Sequence, residues 1–367
     1  MPKGTLEGMQ GSRILIYSHD TMGLGHLRRC STIAHSLVRE YPDLSVLILS
    51  GSPIIGSFDF RSRVDFVRVP GVIKLRNGEY TSLNLGINFE QTIHMRAQII
   101  KHTADIFAPD IMIVDKEPMG LRGEVEDTLR MLKRRGTRLV LGLRDIMDDP
   151  SILVPEWRRK KVMPALSDLY DEIWVYGLPQ ICDPLKGLQV PRQVRRRMTY
   201  TGYLPRRAPT GPSTRPLPEI VSKPYVLVTT GGGGDGEALI DWVLRAYEAD
   251  GRMLYPALLV LGPFMQPETQ AEFIDRANKL SQVQAITFDA KLEELEDNAI
   301  GVVAMGGYNT FCEILSFNKR ALIIPRTRPR MEQFIRASRA QELGLVRMLE
   351  DDGKRHVDVM GKALREL

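Results

Sequence analysis

The residues with the clearest potential for chemistry lie in a glycine-containing turn near the start of the chain. A predicted strand, Arg13 to Ser18, leads into the turn 19–25, and the helix that follows has apolar residues every three or four positions. His26 and Arg29 lie three residues apart at the start of this helix, so both can face the same side. Because the positive end of the helix dipole disfavours imidazolium, His26 is predicted to be neutral near pH 7 and able to act as a general base. The alternative is a histidine that only hydrogen-bonds a neighbouring loop.

The same turn does not fit one common nucleotide-binding pattern. The dinucleotide fingerprint G-x-G-x-x-G requires a third glycine at position 28, where the sequence has Arg28. The acidic residue that would hold a ribose is also missing, because the second predicted strand ends in Leu-Ser-Gly-Ser at 49–52. An NAD-dependent dehydrogenase is therefore disfavoured. A strand, a glycine turn and a helix start still predict a site for an anion or polar group.

A second glycine-rich turn lies in the C-terminal half. The predicted strand 225–230 ends in Gly231, Gly232, Gly233 and Gly234, and successive glycines let backbone amides approach a diphosphate closely. The G-K-[ST] ending of a P-loop is absent. Asp235 is placed to cap the helix that follows.

A third turn, at 305–309, also follows a buried strand and opens a helix. Glu313 on this helix could accept hydrogen bonds from both hydroxyls of a ribose. Thr310 and Glu313 equally fit a capping box, in which the two side chains satisfy only backbone donors. The residues alone leave both interpretations open.

Composition indicates a globular protein with room for two domains. Of its 367 residues, 43% are hydrophobic and 26% charged, and three well-separated cysteines suggest neither a disulfide framework nor a metal-binding pair. No apolar run reaches the length of a membrane span, so a cytoplasmic location is predicted. The net charge is +5, with basic clusters at 158–161, 192–197 and 206–207. These clusters suit phosphates or an anionic membrane surface, or are simply solvated; nucleic acid is disfavoured, because no binding module stands out.

Short apolar runs predict buried parallel strands in both halves. They are continuous rather than alternating and rich in β-branched residues, which is typical of strands covered on both faces. We expect an N-terminal domain at 1–203, a Pro-rich linker at 204–223, a C-terminal domain at 224–350, and a tail at 351–367 that forms a helix packing back on the N-terminal domain. The runs lie at 14–17, 46–49, 111–114, 139–142, 173–176, 226–229, 257–260, 299–304 and 321–324.

Together these motifs resemble the glycosyltransferase family 28 group, which includes the UDP-N-acetylglucosamine transferase of peptidoglycan synthesis and uncharacterised predicted glycosyltransferases. The resemblance covers most of the chain. It implies an α/β protein of GT-B fold, with two doubly wound Rossmann-like domains facing across a cleft. It is carried by Gly23-x-Gly25-His26-x-x-Arg29, Thr201-Gly202-Tyr203, Gly231 to Gly234, Ile286-Thr287-Phe288, Gly306-Gly307-x-Asn309-Thr310-x-x-Glu313, Pro325 and Gln333-x-x-Arg336-Ala337.

The resemblance implies that the C-terminal domain binds a nucleoside-diphosphate sugar, with UDP the expected nucleotide. The diphosphate would lie on Gly231 to Gly234 and on the turn formed by Gly306, Gly307, Asn309 and Thr310. The Phe288 backbone would hold the base, Glu313 the ribose and Gln333 the sugar hydroxyls. The family reaction is inverting and needs neither a cofactor nor a metal, and the sequence has no D-x-D motif. Arg336 stands where the family has asparagine, and an extra cation there would suit an acidic sugar.

The acceptor side is assigned to the N-terminal domain, with Gly23, Gly25, Arg29 and Arg144 as binding residues. The long polar segment 71–88 is predicted to form an unstructured lid. Asp115 and Asp145 follow predicted strands and are, with His26, the candidate catalytic residues, because ligands collect at the carboxyl ends of parallel strands. The alternative for these charges is a solvated loop.

The leading interpretation is a hexosyltransferase-like enzyme of cell-envelope or polysaccharide synthesis, with a glycan, lipid or small-molecule acceptor. The G-x-G-H-x-x-R segment also resembles the nucleotide-sugar hydrolase of the pseudaminic-acid pathway. The sequence therefore leaves open a nucleotide-sugar hydrolase or epimerase, or a non-catalytic nucleotide-sugar-binding protein. Peripheral contact with an anionic membrane at its inner face is a further expectation.

Overall fold

The chain divides into two compact units, Met1–Leu204 and Pro205–Leu367. The computed structural model describes residues 11–19, 24–75, 79–208, 216–289 and 291–367. Both units are α/β, and each is built on a parallel sheet. In the described residues no helix is long and apolar enough to cross a membrane.

The sheet of the N-terminal unit has the order β3-β2-β1-β6-β7-β8-β9, and each neighbouring pair is parallel. From β1 the chain first builds outward through β2 and β3 and then returns to the other side of β1 with β6. This reversal makes the gap between β1 and β6 the topological switch point of the sheet. The strands are β1 Arg13–Tyr17, β2 Ser45–Ser50, β3 Val64–Arg68, β4 Val72–Lys74, β5 Tyr80–Ser82, β6 Ile111–Asp115, β7 Arg138–Arg144, β8 Glu172–Tyr176 and β9 Met198–Tyr200.

The helices of this unit cover the sheet with apolar faces. Along α1 the residues Leu27, Cys30, Ala34 and Val38 are buried at the predicted spacing. A capping box between Asn88 and Gln91 fixes the start of α2. The helices are α1 Gly25–Glu40, α2 Phe89–Phe107, α3 Glu126–Arg134, α4 Pro150–Arg159, α5 Val162–Asp168 and α6 Arg192–Arg196.

The sheet of the C-terminal unit has the order β12-β11-β10-β13-β14-β15 and is parallel throughout. Its switch point lies between β10 and β13. The strands are β10 Val226–Thr229, β11 Ala257–Val260, β12 Val283–Ile286, β13 Gly301–Ala304, β14 Arg320–Ile323 and β15 Arg347–Met348. The helices are α7 Glu237–Ala249, α8 Pro267–Asn278, α9 Leu292–Asn298, α10 Tyr308–Ser316, α11 Glu332–Glu342 and α12 Val357–Arg365.

The predicted α/β class is confirmed, since all nine apolar runs form strands of the two parallel sheets. The segment 71–88 differs from its prediction: β4 and β5 pair there as a short antiparallel hairpin, and Tyr80 stacks on Phe89 at the start of α2. Each strand has only three residues, too few for a visible pattern. The tail does form a helix, α12. Its Met360 and Leu364 pack into the core of the C-terminal unit beside α7, where the sequence suggested the N-terminal domain instead.

Candidate active site

Three candidate residues of the N-terminal unit, His26, Arg29 and Asp115, meet at its topological switch point. His26 is the second residue of α1, which follows β1, and Asp115 is the last residue of β6, the strand on the other side of the switch. The two residues are far apart in sequence, yet the crossover brings them to the same edge of the sheet. This is where ligands bind in open parallel sheets.

Three side chains form a buried charge cluster at this edge. Arg29 donates from Nε to Asp115 Oδ1 and from Nη2 to Asp115 Oδ2, both at 2.7 Å. Asp115 Oδ2 also contacts Nδ1 of His26. Arg29 and Asp115 are about 2% and 1% exposed, whereas the His26 side chain keeps 15% of its surface accessible. The imidazole is therefore the member of the cluster that a substrate can reach.

Burial and charge set the protonation of the cluster. Burial lowers the pKa of His26 from its usual 6.5, although Asp115 acts in the opposite direction. Burial would raise the pKa of Asp115, but attraction to Arg29 and His26 outweighs it and holds that pKa well below its usual range. Since the carboxylate only accepts, the contact with His26 needs the proton on Nδ1. This tautomer leaves a lone pair on Nε2, and the approach of Arg29 Nη2 to Nδ1 at 3.0 Å is then not a hydrogen bond.

A second buried network, which sequence reasoning missed, lies beside the first. Arg96 donates from Nε and Nη2 to the two oxygens of Glu124, both at 2.6 Å. The Tyr17 hydroxyl donates to Glu124 Oε1 at 2.5 Å and lies 3.4 Å from Nδ1 of His19. The His19 ring meets the His26 ring edge to face, with centroids 5.5 Å apart. The one local signal was that Tyr17 ends a strand that leads into the predicted site; the partners come from distant elements.

Asp145, the alternative catalytic carboxylate, lies after β7 and is fully buried. Its Oδ2 accepts from the Tyr203 hydroxyl at 2.8 Å and its Oδ1 from the amide of Ile146 at 2.8 Å. Asp145 is therefore held by Tyr203, which follows β9, whereas Asp115 contacts the predicted base His26. Of the predicted acceptor-side residues, Gly25 begins α1, Arg144 ends β7 half-buried, and Gly23 lies outside the described residues.

Lys116 and Glu117 extend the charged edge beyond Asp115. Lys116 adopts a left-handed conformation with φ of 67°, which is uncommon for a side chain of its size. Glu117 accepts from Lys160 Nζ at 3.0 Å. Burial alone would raise the pKa of Glu117, but Lys116, His19 and Lys160 lower it to about 2. Lys116 and Glu117 are therefore partly buried, paired charges rather than solvated loop charges.

The glycine loop of the C-terminal unit follows β10 at the second switch point. Gly231 and Gly233 have φ of +68° and +87°, and a Cβ on Gly233 would lie 2.4 Å from the Leu261 carbonyl oxygen. The loop therefore needs glycine both for its conformation and for its close approach to the next strand. The predicted cap is corrected: Gly236 precedes α7 without a side-chain cap, and Asp235 instead accepts from Arg326 Nη1 at 2.6 Å.

The turn after β13 supplies the other side of this switch point. Gly306 has φ of +77°, and a Cβ there would meet Ile323 at 2.7 Å. The capping-box interpretation is wrong, because α10 begins at Tyr308 with Gly307 as an N-cap that has no side-chain bond. Thr310 and Glu313 thus lie inside the helix, both buried.

Arg206, which the sequence placed in the linker, contacts α10 of the C-terminal unit. Its Nη2 donates to Asn309 Oδ1 at 2.7 Å, and its backbone amide donates to Ser316 Oγ at 2.9 Å. The guanidinium therefore lies at the first turn of α10 and is 7% exposed. A cation at a helix start, where no acidic side chain occupies the first turn, fits a site for an anion.

The residues predicted to read the donor sugar lie near the start of α11. Gln333 Oε1 accepts from the Arg326 amide at 3.2 Å, so this side chain is positioned by the loop before the helix. Arg336 is 1% exposed, donates from Nη1 to the Gly306 carbonyl at 2.9 Å and lies over the Tyr308 ring. The Arg336 guanidinium therefore stabilises the 305–309 turn through these two contacts. Phe288 follows β12 and is half-buried.

Comparison with known proteins identifies a family domain in the C-terminal part of the chain and the fold of the whole. Residues 226–360 match the family described as Glycosyltransferase family 28 C-terminal domain. The chain has the GT-B fold of glycosyltransferases, and its C-terminal unit carries a family 28 C-terminal domain. A comparison with curated protein sequences finds no match. Solved structures of glycosyltransferases are similar to this chain over almost its whole length.

Three of these structures illustrate the range. Phytolacca americana UGT2, complexed with UDP-2-fluoro-glucose and pterostilbene, has a TM-score of 0.65 at 14% identity. The spinosyn forosaminyltransferase SpnP has a TM-score of 0.63 at 17% identity, and MurG of Acinetobacter baumannii 0.55 at 11%. Each of the three alignments covers 97% of the present chain and 90% of the chain that it matches. At such identities the likeness establishes the fold.

Proposed function

We propose that the protein is an inverting, metal-independent glycosyltransferase that moves a sugar from a nucleoside diphosphate, UDP by preference, to an acceptor hydroxyl. The observation that carries the proposal is the His26–Asp115–Arg29 cluster at the switch point of the N-terminal sheet. The family 28 domain in the other unit supports the donor class. The resemblance to family 28 supports an inverting reaction without a metal.

His26 is the proposed general base. With its Nδ1 proton donated to Asp115, the ring presents Nε2 to the acceptor hydroxyl. As the hydroxyl oxygen attacks the anomeric carbon, its proton passes to Nε2, and the Asp115 carboxylate stabilises the imidazolium that forms. Arg29 holds both carboxylate oxygens, so the carboxylate keeps one orientation and the imidazole one tautomer.

The C-terminal unit is proposed to stabilise the departing diphosphate. The bond from the anomeric carbon to the diphosphate oxygen breaks as the new bond forms, and negative charge develops on the nucleotide. Backbone amides of Gly231 to Gly234 and of the 306–309 turn, at helix starts, can donate to that charge. Arg206 adds a full positive charge beside Asn309. Glu313 on α10 is the proposed ribose ligand, with Gln333 directed to the sugar.

Nucleotide-sugars incubated with the protein alone provide the first test. Binding with slow release of free sugar is the expected result for a transferase without its acceptor, whereas rapid release would identify a hydrolase. His26→Ala should leave UDP affinity, measured by calorimetry, nearly unchanged and lower single-turnover sugar transfer or release roughly 10²–10⁴-fold. Glu313→Ala should remove the rise in melting temperature that UDP causes, and the exposed Glu342→Ala on α11 is its control. Normal turnover by His26→Ala would refute the base assignment.

An anionic bilayer is the proposed partner of the two basic clusters at 158–161 and 192–197, and lipid-linked acceptors would fit this partner. Arg195 pairs with Asp183 and Arg197 donates to three carbonyls, so these members of the clusters have structural roles. Apart from Lys160, which pairs with Glu117 and Glu156, the remaining cations of the clusters at 158–161 and 192–197 are exposed, and each could contribute about 1 kcal/mol near a charged surface. They are Arg158, Arg159, Lys161, Arg192 and Arg196. Salt-sensitive co-sedimentation with phosphatidylglycerol vesicles, lost in a glutamine variant of all five, would support this partner; no binding would leave a soluble acceptor.

A further inference from the structure

His19 is a buried imidazole that the proposed chemistry of His26 does not use. It follows β1 at the switch point, is 7% exposed, and its ring centroid lies 5.5 Å from that of His26 at an interplanar angle of 77°. We call His19 and His26 the histidine pair. Two imidazoles in contact at the ligand-binding edge of a parallel sheet need an explanation beyond one general base.

The second buried network determines which nitrogen of His19 carries the proton. Tyr17 has a single hydroxyl proton, and it goes to Glu124 Oε1 at 2.5 Å. Towards His19 the Tyr17 oxygen can therefore only accept, as it also does from the Leu121 amide at 3.2 Å. The proton of the neutral His19 ring thus lies on Nδ1. Its Nε2 keeps a lone pair, as Nε2 of His26 does.

The network has the features needed to hold this arrangement. Arg96 binds both oxygens of Glu124 and donates from Nη1 to the Pro70 carbonyl at 2.6 Å, so the Glu124 side chain is held in one position. Burial and the neighbouring Glu124 raise the pKa of Tyr17 well above its usual 10.0, so the phenol keeps its proton. Burial also lowers the pKa of His19 well below 6.5, which keeps the ring neutral at pH 7.

Two neutral rings in contact therefore present two acceptors of the same kind. In the described part of the chain no hydrogen bond is made at Nε2 of either ring. Because the two ring centroids are only 5.5 Å apart, a ligand that donates to both rings needs two donor groups within a few ångströms of each other. Hydroxyls on neighbouring carbons meet this requirement, whereas a single hydroxyl or two distant ones leave one nitrogen unsatisfied.

We propose that His19 binds a second hydroxyl of the acceptor next to the one activated by His26, so that the acceptor is a polyol with a vicinal diol. The proposal rests on the proposed glycosyl transfer and specifies its acceptor class. Tyr17, Glu124 and Arg96 act as positioning residues, because they reach the substrate only through His19. An aglycone with an isolated hydroxyl is correspondingly a poor acceptor.

Two isomeric alcohols test the spacing directly. Sugar transfer from a UDP-sugar that the protein turns over is measured with 1,2-propanediol and with 1,3-propanediol at equal concentration, and the products are separated by chromatography. One additional hydrogen bond should favour the 1,2-isomer about fivefold. His19→Phe keeps an aromatic contact with His26 but no acceptor, and should bring the ratio to about one. His19→Gln keeps an acceptor oxygen and should retain part of the preference.

Tyr17→Phe and His35→Gln complete the set. Tyr17→Phe removes the group that fixes the His19 tautomer, so the 1,2-preference should fall although His19 is intact. His35 lies on the same helix as His26, near Phe60, and its replacement should leave the ratio unchanged. A wild-type ratio of one, or a preference that survives His19→Phe, overturns the proposal.

Nitrogen NMR of histidine-labelled protein gives a readout that does not depend on turnover. His19 should appear as the Nδ1-protonated tautomer, become a tautomer mixture in Tyr17→Phe, and shift at Nε2 with 1,2-propanediol more than with 1,3-propanediol. The same spectra report whether each variant is folded, through the His26 Nδ1 signal. If the diol shifts appear but no nucleotide-sugar is ever turned over, the transfer function fails and the diol site stands. If His19 is protonated at Nε2, the diol site fails whatever the turnover.

Discussion

Replacing Asp115 by asparagine should separate the two roles of the charge cluster, because the substitution changes charge and leaves size nearly the same. Arg29 would keep its positive charge while about 2% exposed and would lose its carboxylate partner, at which it makes two hydrogen bonds of 2.7 Å. Removing one partner of a buried ion pair destabilises a protein by about 3–5 kcal/mol. We expect a loss of that size in the unfolding free energy of the N-terminal unit.

The same substitution should lower turnover independently of stability. An amide can donate as well as accept, so it no longer fixes the proton on His26 Nδ1. Transfer should then fall by roughly the 10²–10⁴-fold associated with a lost general base. UDP affinity should change little, because the proposed nucleotide ligands lie in the other unit.

A double variant distinguishes the two effects. Arg29→Met together with Asp115→Asn removes the uncompensated charge, so most of the lost stability should return while turnover stays low. Unfolding is followed by the fluorescence of Trp157 and Trp174 in a Trp242→Phe background, which leaves tryptophan reporters only in the N-terminal unit. An Asp115→Asn protein with unchanged unfolding free energy would refute the buried ion pair. Full turnover would refute the orienting role, and a double variant no more stable than the single one would refute the charge argument.

The structure leads to three further predictions. Burial lowers the pKa values of His19 and His26, so the unfolded chain takes up protons that the folded one does not as the pH falls below 6.5. The unfolding free energy of the N-terminal unit should therefore decrease below pH 6.5. The acid limb of the pH–rate profile should have a midpoint below 6.5. Arg206→Met should weaken UDP binding in calorimetry by about ten- to a hundredfold, as expected for a lost charged hydrogen bond, whereas the exposed Arg207→Met should not. Arg336→Asn, which introduces the family residue, should reduce the unfolding free energy of the C-terminal unit by about 1–3 kcal/mol; a changed preference among donor sugars would show instead that Arg336 reads the sugar.

The elements that the sequence predicted correctly are those whose signal is local. The nine apolar runs are central strands, and their continuous burial is visible in the letters themselves. The strands β3, β9, β12 and β15 were missed because they are short or mix polar with apolar residues. The hairpin of β4 and β5 was missed for the same reason.

For the site, the sequence supplied the residues but not their partners. His26 and Asp115 were each named as candidates, yet their contact depends on β1 and β6 being neighbours, which no local pattern states. The pairing of Arg96 with Glu124 could not be predicted from the sequence, since it joins α2 to the loop before α3. The many prolines at 204–223 predicted a linker. That composition gave no sign that the Arg206 side chain donates to Asn309.

Both candidate sites lie at the topological switch point of their sheet. They differ in whether side chains or backbone groups line that point. In the N-terminal unit the switch point holds side chains that titrate or carry charge, with two buried ion pairs. Buried ion pairs are weak evidence for stability, because apolar groups of the same shape usually serve as well. In the C-terminal unit the switch point is formed by glycines with positive φ, so the donors it offers to a ligand are backbone amides. A reaction in which one substrate loses a proton and the other gains negative charge requires this difference. The proton needs a side chain whose pKa can be adjusted, whereas the departing diphosphate needs donors that are already in place and do not titrate.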